Sequence, residues 1–224
     1  LDFHKKNGAE VTIAVMPVPM EEASRFGIMI TDENRRIVDF EEKPAQPKAE
    51  TASLGIYVIS RTLLINLLEQ AIPEGKYDLV KDIIIRFIPT LKIYGYEYNG
   101  YWNSVGAGTA AYFAANMDFL NKEVRDHFVS EYPYIATKPK DEPPAKYNKG
   151  ADVKDTIAGS GSIFDGKVEH CVVFRKVHVG VGAVVKNSIL MEGVQIGEGC
   201  VVENAILDKD VVLSAGQKVI GASA

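Results

Sequence analysis

Along the last third of the chain, single branched apolar residues recur about six positions apart, and the whole phrase repeats every seventeen. Val168-Glu-His-Cys-Val-Val173, Val185-Lys-Asn-Ser-Ile-Leu190 and Val202-Glu-Asn-Ala-Ile-Leu207 are three copies of it, and Val219 opens a fourth. Gly182, Gly199 and Gly216 fall in one column, Val179, Ile196 and Leu213 in another, and Val172, Ile189 and Ile206 in a third. Short strands that each bury one apolar side chain and turn at Gly stack into a solenoid with three flat sides. The period therefore predicts a parallel β-helix of hexapeptide type over 151–224. Inward Val, Ile and Leu fill the prism, Gly permits positive φ at corners, and Asn187 and Asn204 share a column where Asn tolerates the left-handed conformation. Each repeated residue has a packing role, so the region reads as a scaffold.

The first 130 residues alternate strands and helices in the manner of an α/β domain. Leu1 to Gly8 reads as the last turn of a helix running into a Gly stop, and the buried strand Val11-Thr-Ile-Ala-Val-Met16 follows at once. With no initiator Met, a sheet that opens on a helix end is expected to be a fragment. Gly27–Ile30 and Arg36–Phe40 flank the turn Thr31-Asp-Glu-Asn34 and predict a hairpin. Ser53-Leu-Gly-Ile-Tyr-Val-Ile59 is a near-continuous apolar run of the kind a buried strand carries. Leu63, Leu64, Leu67 and Leu68 share one helix face, Tyr77–Phe87 reads as a second helix, and Leu91–Tyr98 alternates like an exposed strand. A helix from about Gly108 to Leu120 closes this domain. The stretch 131–150, with Pro133, Pro139, Pro143 and Pro144, has no period and is expected to be a linker.

Composition narrows the function classes. A chain of 224 residues with 46% hydrophobic content can bury two modest cores, and a formal charge of -5 favours neither nucleic acid nor an anionic membrane as partner. Cys171 and Cys200 are too few for a disulfide framework. Cys171 shares its column with Ser188 and Ala205, which predicts a small packed thiol. No apolar run is long enough to span a membrane and no signal peptide opens the chain, so the cytoplasm is the expected location.

Four motifs carry a resemblance. Glu21-Glu-Ala-Ser-Arg-Phe-Gly-Ile-Met29, Phe40-Glu-Glu-Lys-Pro44, Ala52-Ser-Leu-Gly-Ile-Tyr57 and Gly100-Tyr-Trp-Asn-Ser-Val-Gly106 occur in the order and spacing of sugar-1-phosphate nucleotidyltransferases. Among these the chain most resembles bacterial glucose-1-phosphate adenylyltransferase (ADP-glucose pyrophosphorylase) of glycogen synthesis. The resemblance implies a partial nucleotidyltransferase domain with a Rossmann-like mixed sheet, joined to a left-handed parallel β-helix. It also implies the reaction of ATP with glucose 1-phosphate to give ADP-glucose and pyrophosphate, where catalysis is charge neutralisation and in-line positioning. By the same resemblance Lys43 matches the sugar-phosphate lysine and Glu42 the acceptor for sugar hydroxyls. Gly27 would be the point where backbone approaches the sugar, Ser53 and Gly55 the strand lining the hexose pocket, and Trp102 its aromatic wall.

Two departures from the family pattern bear on activity. The glycine-rich loop that cradles nucleotide phosphates in the family has no counterpart in these residues; Gly159-Ser-Gly161 and Gly180-Val-Gly182 fall in the β-helix, where corner turns explain them. The family's Trp-x-Asp-Val-Gly carries an Asp that helps hold Mg²⁺, and here that position is Ser104, a weak ligand for a hard cation. Mg²⁺ is thus implied for the intact family enzyme and none is expected on this chain, which by itself is expected to be inactive. Catalytic descent with a damaged site and a non-catalytic regulatory subunit both remain open: Thr137–Tyr147 resembles the regulatory type, whereas Trp102 and Glu42-Lys43 resemble the catalytic one.

A hexapeptide acyltransferase is a third, remoter reading, because many β-helices bind acyl-CoA. His170 lies in the Asn column and His178 precedes inward Val179, so both read as structural, and His4 and His127 read as surface residues. Solenoid ends expose unpaired strand edges, which predicts homo- or hetero-oligomers through the β-helix. Glucose 1-phosphate or ADP-glucose is the expected small-molecule partner. Lys138, Lys140 and Lys146 could supply charge to an effector near the domain junction, although a solvated linker accounts for them.

Overall fold

The computed structural model describes residues 1–130 and 135–222. The chain forms two compact units, Leu1–Gly100 and Tyr101–Ala224. Residues 101–130 cluster with the second of these units. Among the described residues no helix is long and apolar enough to cross a membrane.

The first unit contains α1 (Asp2–Lys6), β1 (Val11–Pro17), α2 (Met20–Ala23), β2 (Gly27–Thr31), β3 (Ile37–Glu42), β4 (Thr51–Ile59), α3 (Arg61–Ala71), a π-helical segment Leu79–Ile85 and β5 (Ile93–Glu97). Its strands make one mixed sheet in the order β3-β2-β4-β1-β5, with β1 antiparallel to β4 and parallel to β5. The expected hairpin is present. Asp32 Oδ1 accepts from the amides of Asn34 at 2.8 Å and Arg36 at 2.9 Å, an Asx turn that joins β2 to β3. Helix α3 starts at Ser60, whose hydroxyl accepts from Leu63 N at 3.2 Å and satisfies one orphan donor of the first turn. Val11, Ile13, Val15, Met29 and Ile37 from the sheet meet Leu67, Ile83 and Ile84 in one core.

Three local readings change. In β4 only Ala52 and Leu54 are buried, and Ile56 is 57% exposed. Pairing with β1 jumps from Ile13↔Tyr57 to Val15↔Ser53, so the strand bulges opposite Ala14, with Gly55 at φ +71. The apolar run therefore does not lie flat in a core. Strand β5 is the converse: Ile93 and Gly95 are buried because they stack beside β1. The helix expected over Tyr77–Phe87 is π-helical across Leu79–Ile85, which sets Ile83 and Ile84 together into the core.

The second unit contains α4 (Thr109–Met117) and α5 (Lys122–Val129), followed by β6 (Lys146–Tyr147), β7 (Asp152–Ala158), β8 (Ile163–Phe164), β9 (Lys167–Val173), β10 (His178–Val179), β11 (Val184–Leu190), β12 (Gln195–Ile196), β13 (Val201–Glu203), β14 (Ile206–Leu207), β15 (Val212–Leu213) and β16 (Lys218–Ile220). Two ladders, β15-β12-β10-β8-β6 and β16-β13-β11-β9-β7, run parallel throughout, as a β-solenoid requires. The first rung, β6, already pairs with β8 inside the segment expected to be linker. Phe164, Val179, Val185, Leu190, Ile196 and Val202 are among the residues filling the prism.

The long strands β7, β9 and β11 cover two faces each because one residue in every coil turns left-handed. These are Asp155, His170 and Asn187, with Asn204 in the next coil, at φ between 42 and 52. The Asn column thus serves as a corner. Asn187 Nδ2 donates to Asn204 Oδ1 at 2.6 Å and stitches neighbouring coils. One coil departs from the seventeen-residue period: Asp152 pairs with Lys167, fifteen residues on, whereas Lys167 pairs with Val184. Its short corner turns at Gly166, where a Cβ would stand 2.5 Å from Ala183 O and 2.7 Å from Gly180 O. Only Gly fits there.

Candidate functional site

The open end of the β2–β3 hairpin brings the sequence-predicted residues of the first unit together. Gly27 opens β2, Glu42 closes β3, and the two are register partners. A Cβ on Gly27 would lie 2.6 Å from Phe40 Cζ and 3.0 Å from Glu42 Oε2, so the carboxylate and the ring occupy the space that a side chain would take. The strand alternation that buries Phe40 puts Glu42 on the same face, two residues on. Lys43 follows in the left-handed region at φ 48, and its amide donates to Phe26 O at 3.1 Å. That bond closes the hairpin mouth while leaving the Lys43 side chain exposed. Glu41, by contrast, is engaged: Lys48 Nζ stands 2.5 Å from its Oε1, and the pairing holds the Lys48 ammonium above its ordinary pKa.

Strand β4 contributes the second wall. Ser53 pairs with Val15 and Ala52 with Ile28, which sets Ser53 next to the hairpin mouth. The Ser53 hydroxyl accepts from Gly55 N at 3.2 Å, within the bulge. It also lies close enough to the Tyr57 phenol to pull its pKa down, against burial, which raises it, and the nearby carboxylates of Glu42 and Asp78, which raise it further. The phenol ends above its ordinary value. Tyr57 is thus under the influence of the Ser53 hydroxyl and of the Glu42 and Asp78 charges.

Sequence reasoning passed over Tyr57 and Asp78. Tyr57 lies four positions after Ser53, on the same strand face by the period of two, within an apolar run that masks it. Asp78 had a readable signal, an Asp before an apolar run with amide donors two and three residues on. Its Oδ1 accepts from Val80 N and Lys81 N, both at 2.8 Å, and these bonds, the Lys81 amide first, hold the carboxyl below the usual range.

Trp102 and Ser104 lie in the second unit, in the stretch before α4. The residues on either side of Trp102 are tied to one acceptor: Tyr101 Oη donates to Asp118 Oδ2 at 2.7 Å and Asn103 Nδ2 to the same oxygen at 3.2 Å. Burial, and then the Asp118 carboxylate, raise the Tyr101 phenol pKa. Trp102 is partly buried, and Ser104 precedes a 3₁₀ turn at Val105–Ala107 without capping it through its side chain. Asp118 is a further residue that the motif alone did not indicate.

The donor set does not fit a divalent cation. Ser104 offers a single neutral hydroxyl, and among the described residues no three of His, Cys, Asp and Glu come together as metal ligands. The histidines are occupied as well. His170 Nδ1 is 2.5 Å from Asp155 Oδ2 and His178 Nε2 is 3.0 Å from Asp165 Oδ2, each pair joining successive coils. His4, expected at the surface, is partly buried with Nδ1 2.9 Å from Thr12 Oγ1. Cys171 is fully buried and burial pushes its thiol up to about 11, which makes it inert as a nucleophile.

A protein-family model described as nucleotidyl transferase matches residues 1–122, and one described as GlmU-like, C-terminal hexapeptide matches residues 143–224. Similar curated proteins include the glucose-1-phosphate adenylyltransferase of Clostridium perfringens (strain SM101 / Type A), 41% identical over 196 residues that cover 85% of this chain and 50% of that protein. The protein of the same name from Geobacillus stearothermophilus is 41% identical over 191 residues, covering 83% and 49%. That of Desulfitobacterium hafniense (strain Y51) is 34% identical over 194 residues, covering 85% and 48%. The chain spans about half the length of the curated relatives it matches.

Proposed function

The chain belongs to the nucleotidyl transferase family, and from that premise we propose that it carries the sugar-phosphate side of a glucose-1-phosphate adenylyltransferase of glycogen synthesis. The reading is that this half of the site takes glucose 1-phosphate for reaction with ATP to ADP-glucose and pyrophosphate. One observation carries it: at the hairpin mouth the Glu42 carboxylate rests against the bare backbone of Gly27, with Ser53 on the neighbouring strand β4.

Each group has a role that its chemistry supports. The Lys43 ammonium, on a long exposed stem, meets the phosphate as a mobile point charge. Glu42 accepts from sugar hydroxyls, Ser53 and Tyr57 donate or accept as the hexose requires, Gly27 gives up its side-chain space to Glu42, and Gly55, open where a Cβ would stand, lets backbone approach the ring. Mg²⁺ would neutralise phosphate charge in an intact family enzyme, but the residues present here do not fit it and no role above depends on it. The solenoid serves assembly, as homo- or hetero-oligomer, and the protein works in the cytoplasm.

Calorimetric titration of the chain with glucose 1-phosphate tests this reading. Saturable binding abolished by Glu42→Ala is the expected result; no heat at millimolar sugar phosphate would defeat it. A second reading, a non-catalytic regulatory subunit, is favoured by Ser104 at the metal position. Pyrophosphorolysis of ADP-glucose, measured after joining the chain to the N-terminal half of a relative, separates the two. Activity recovered only by Ser104→Asp supports a damaged catalytic site, and absence of both turnover and sugar-phosphate binding supports the regulatory subunit.

A further inference from the structure

The two faces of the β2–β3 hairpin carry different cores, and the loop that begins at Lys43 crosses from one to the other. Met29 and Phe40 belong to the larger core, on the face that Glu42 shares with Phe40. Ile28, the register partner of Glu41, belongs to a second cluster with Val18, Ala23 and Ala52. Ala49 packs against that second cluster, and Val18 N donates to Glu50 O at 2.8 Å. The chain thus leaves β3 beside Glu42 and by Ala49 is seated on the opposite face. Lys43, at φ 48, stands where it leaves.

Glu41 ties the crossing down. Strand alternation points it to the second face, and its side chain is only 16% exposed. Its two oxygens hold one residue twice: Lys48 Nζ stands 2.5 Å from Oε1, and Lys48 N donates to Oε2 at 3.4 Å. A carboxylate so deeply placed costs free energy unless a cation and donors meet it, which favours the clamped loop over one free in water. At the other end of the loop, Lys43 N is held by Phe26 O at 3.1 Å. A left-handed residue other than Gly relaxes unless its surroundings hold it, and here the chain is fixed on both sides of the turn.

We propose that Glu41 is a positioning residue for the Lys43 ammonium: by clamping Lys48 it seats the loop 43–48 on the second face and keeps Lys43 at the hairpin mouth beside Glu42. The inference rests on the sugar-phosphate reading of that mouth for its ligand, though not for its geometry. Lys43 is assigned the phosphate and Glu42 the sugar hydroxyls. Loosening the loop therefore costs affinity for a phosphorylated sugar and spares the free sugar. Glu41 faces away from the ligand in this scheme and acts through Lys48 and the backbone between them.

The probes are NMR titration with glucose 1-phosphate and with glucose, and hydrogen exchange of the Lys43 amide, whose bond to Phe26 O reports on the loop without any ligand. Glu41→Ala is expected to weaken glucose 1-phosphate about tenfold, the worth of one contact to a charged group, and to leave glucose within about twofold. It should also speed exchange of the Lys43 amide about tenfold, as local opening becomes easier. Lys48→Ala should reproduce each effect, and the double variant should be no worse than either single one, because the two residues form one clamp. Should Glu41→Ala fail to fold, Lys48→Ala, altered at a side chain 66% exposed, carries the same test.

An unchanged Lys43 exchange rate in both single variants overturns the proposal, as do equal losses for glucose and glucose 1-phosphate, or losses that add in the double variant. If the unsubstituted chain binds neither sugar, the sugar-phosphate reading fails by itself, and the Lys43 amide still decides whether the clamp holds the loop.

Discussion

Gly27 and Glu42 face each other across the β2–β3 ladder, and Glu42 Oε2 lies 3.0 Å from the point where a Cβ on Gly27 would sit. The carboxylate thus rests on bare backbone. Phe40, 5% exposed, closes the same space from the core side at 2.6 Å. Gly27 is not held in a left-handed conformation, so the constraint is one of volume. Gly27→Ala must displace either the ring or the carboxylate. It is expected to destabilise the chain by about 1–3 kcal/mol, the usual range for overpacking, and to weaken glucose 1-phosphate binding. Urea denaturation and calorimetry on the same variant check both; a variant with unchanged midpoint and affinity would show that the site is looser than the geometry implies.

Lys43 combines an exposed side chain with a left-handed backbone at φ 48. Stability and binding should therefore move in opposite directions on substitution. Lys43→Gly relieves the strain of a Cβ in that region and is expected to be more stable than Lys43→Ala by about 1 kcal/mol. Both should lose most affinity for the sugar phosphate, since neither supplies the ammonium. Equal melting temperatures for the two variants would argue against strain at this residue, and retained affinity would remove Lys43 from the site.

How much of this could be read in advance differs between the two units. The solenoid was legible because each coil repeats the same packing problem, so Val179, Ile196 and Leu213 announce one column together. Its short coil was not, because a two-residue deletion at the Gly166 corner leaves the apolar phrase intact. In the first unit the motif around Glu42 and Lys43 located the hairpin mouth. Tyr57 escaped notice because it stands in an apolar run that reads as packing, although its spacing of four from Ser53 puts the two on one strand face. Asp78 carried a readable capping signal, but its influence on Tyr57, twenty-one residues earlier in the chain, is a tertiary effect that no local pattern announces. Trp102 and Ser104 were singled out by motif, yet Asp118, the acceptor shared by their neighbours Tyr101 and Asn103, lies outside it.

Tyr57 predicts a pH dependence whose sign can be worked out. Burial raises its folded pKa, with Glu42 and Asp78 adding to the shift and Ser53 opposing it. A phenol that holds its proton more tightly when folded contributes stability that is fully present below its unfolded pKa, about 10, and lost as pH rises through the folded value. Tyr57→Phe should therefore flatten part of the fall in stability above pH 10, and Ser53→Ala should move the Tyr57 titration higher still. Denaturation midpoints between pH 8 and 11, with NMR of the labelled ring, measure both. A Tyr57 titration that shifts downward in Ser53→Ala would contradict the assigned contact.

In the solenoid, two corner glycines should respond differently to the same methyl group. Gly182 turns at φ +69 with open space around it, its nearest neighbour being Gly199 at 4.0 Å, so Gly182→Ala meets only backbone strain. That is worth about 1–2 kcal/mol. Gly166 has no such φ, but a Cβ there would press on the carbonyl oxygens of Ala183 and Gly180 at 2.5 and 2.7 Å. Those carbonyls belong to the next coil, where Ala183 O accepts from Lys167 N at 2.8 Å. The added methyl cannot be accommodated by rotating a side chain; it must push two coils apart and stretch a ladder bond. Gly166→Ala is expected to destabilise the solenoid by more than Gly182→Ala, on the order of 3 kcal/mol or above. Chemical denaturation of the two variants, followed by far-ultraviolet circular dichroism, ranks them. A Gly166→Ala variant as stable as Gly182→Ala would mean that the short corner yields freely, and that the fifteen-residue coil is not held by close approach at Gly166.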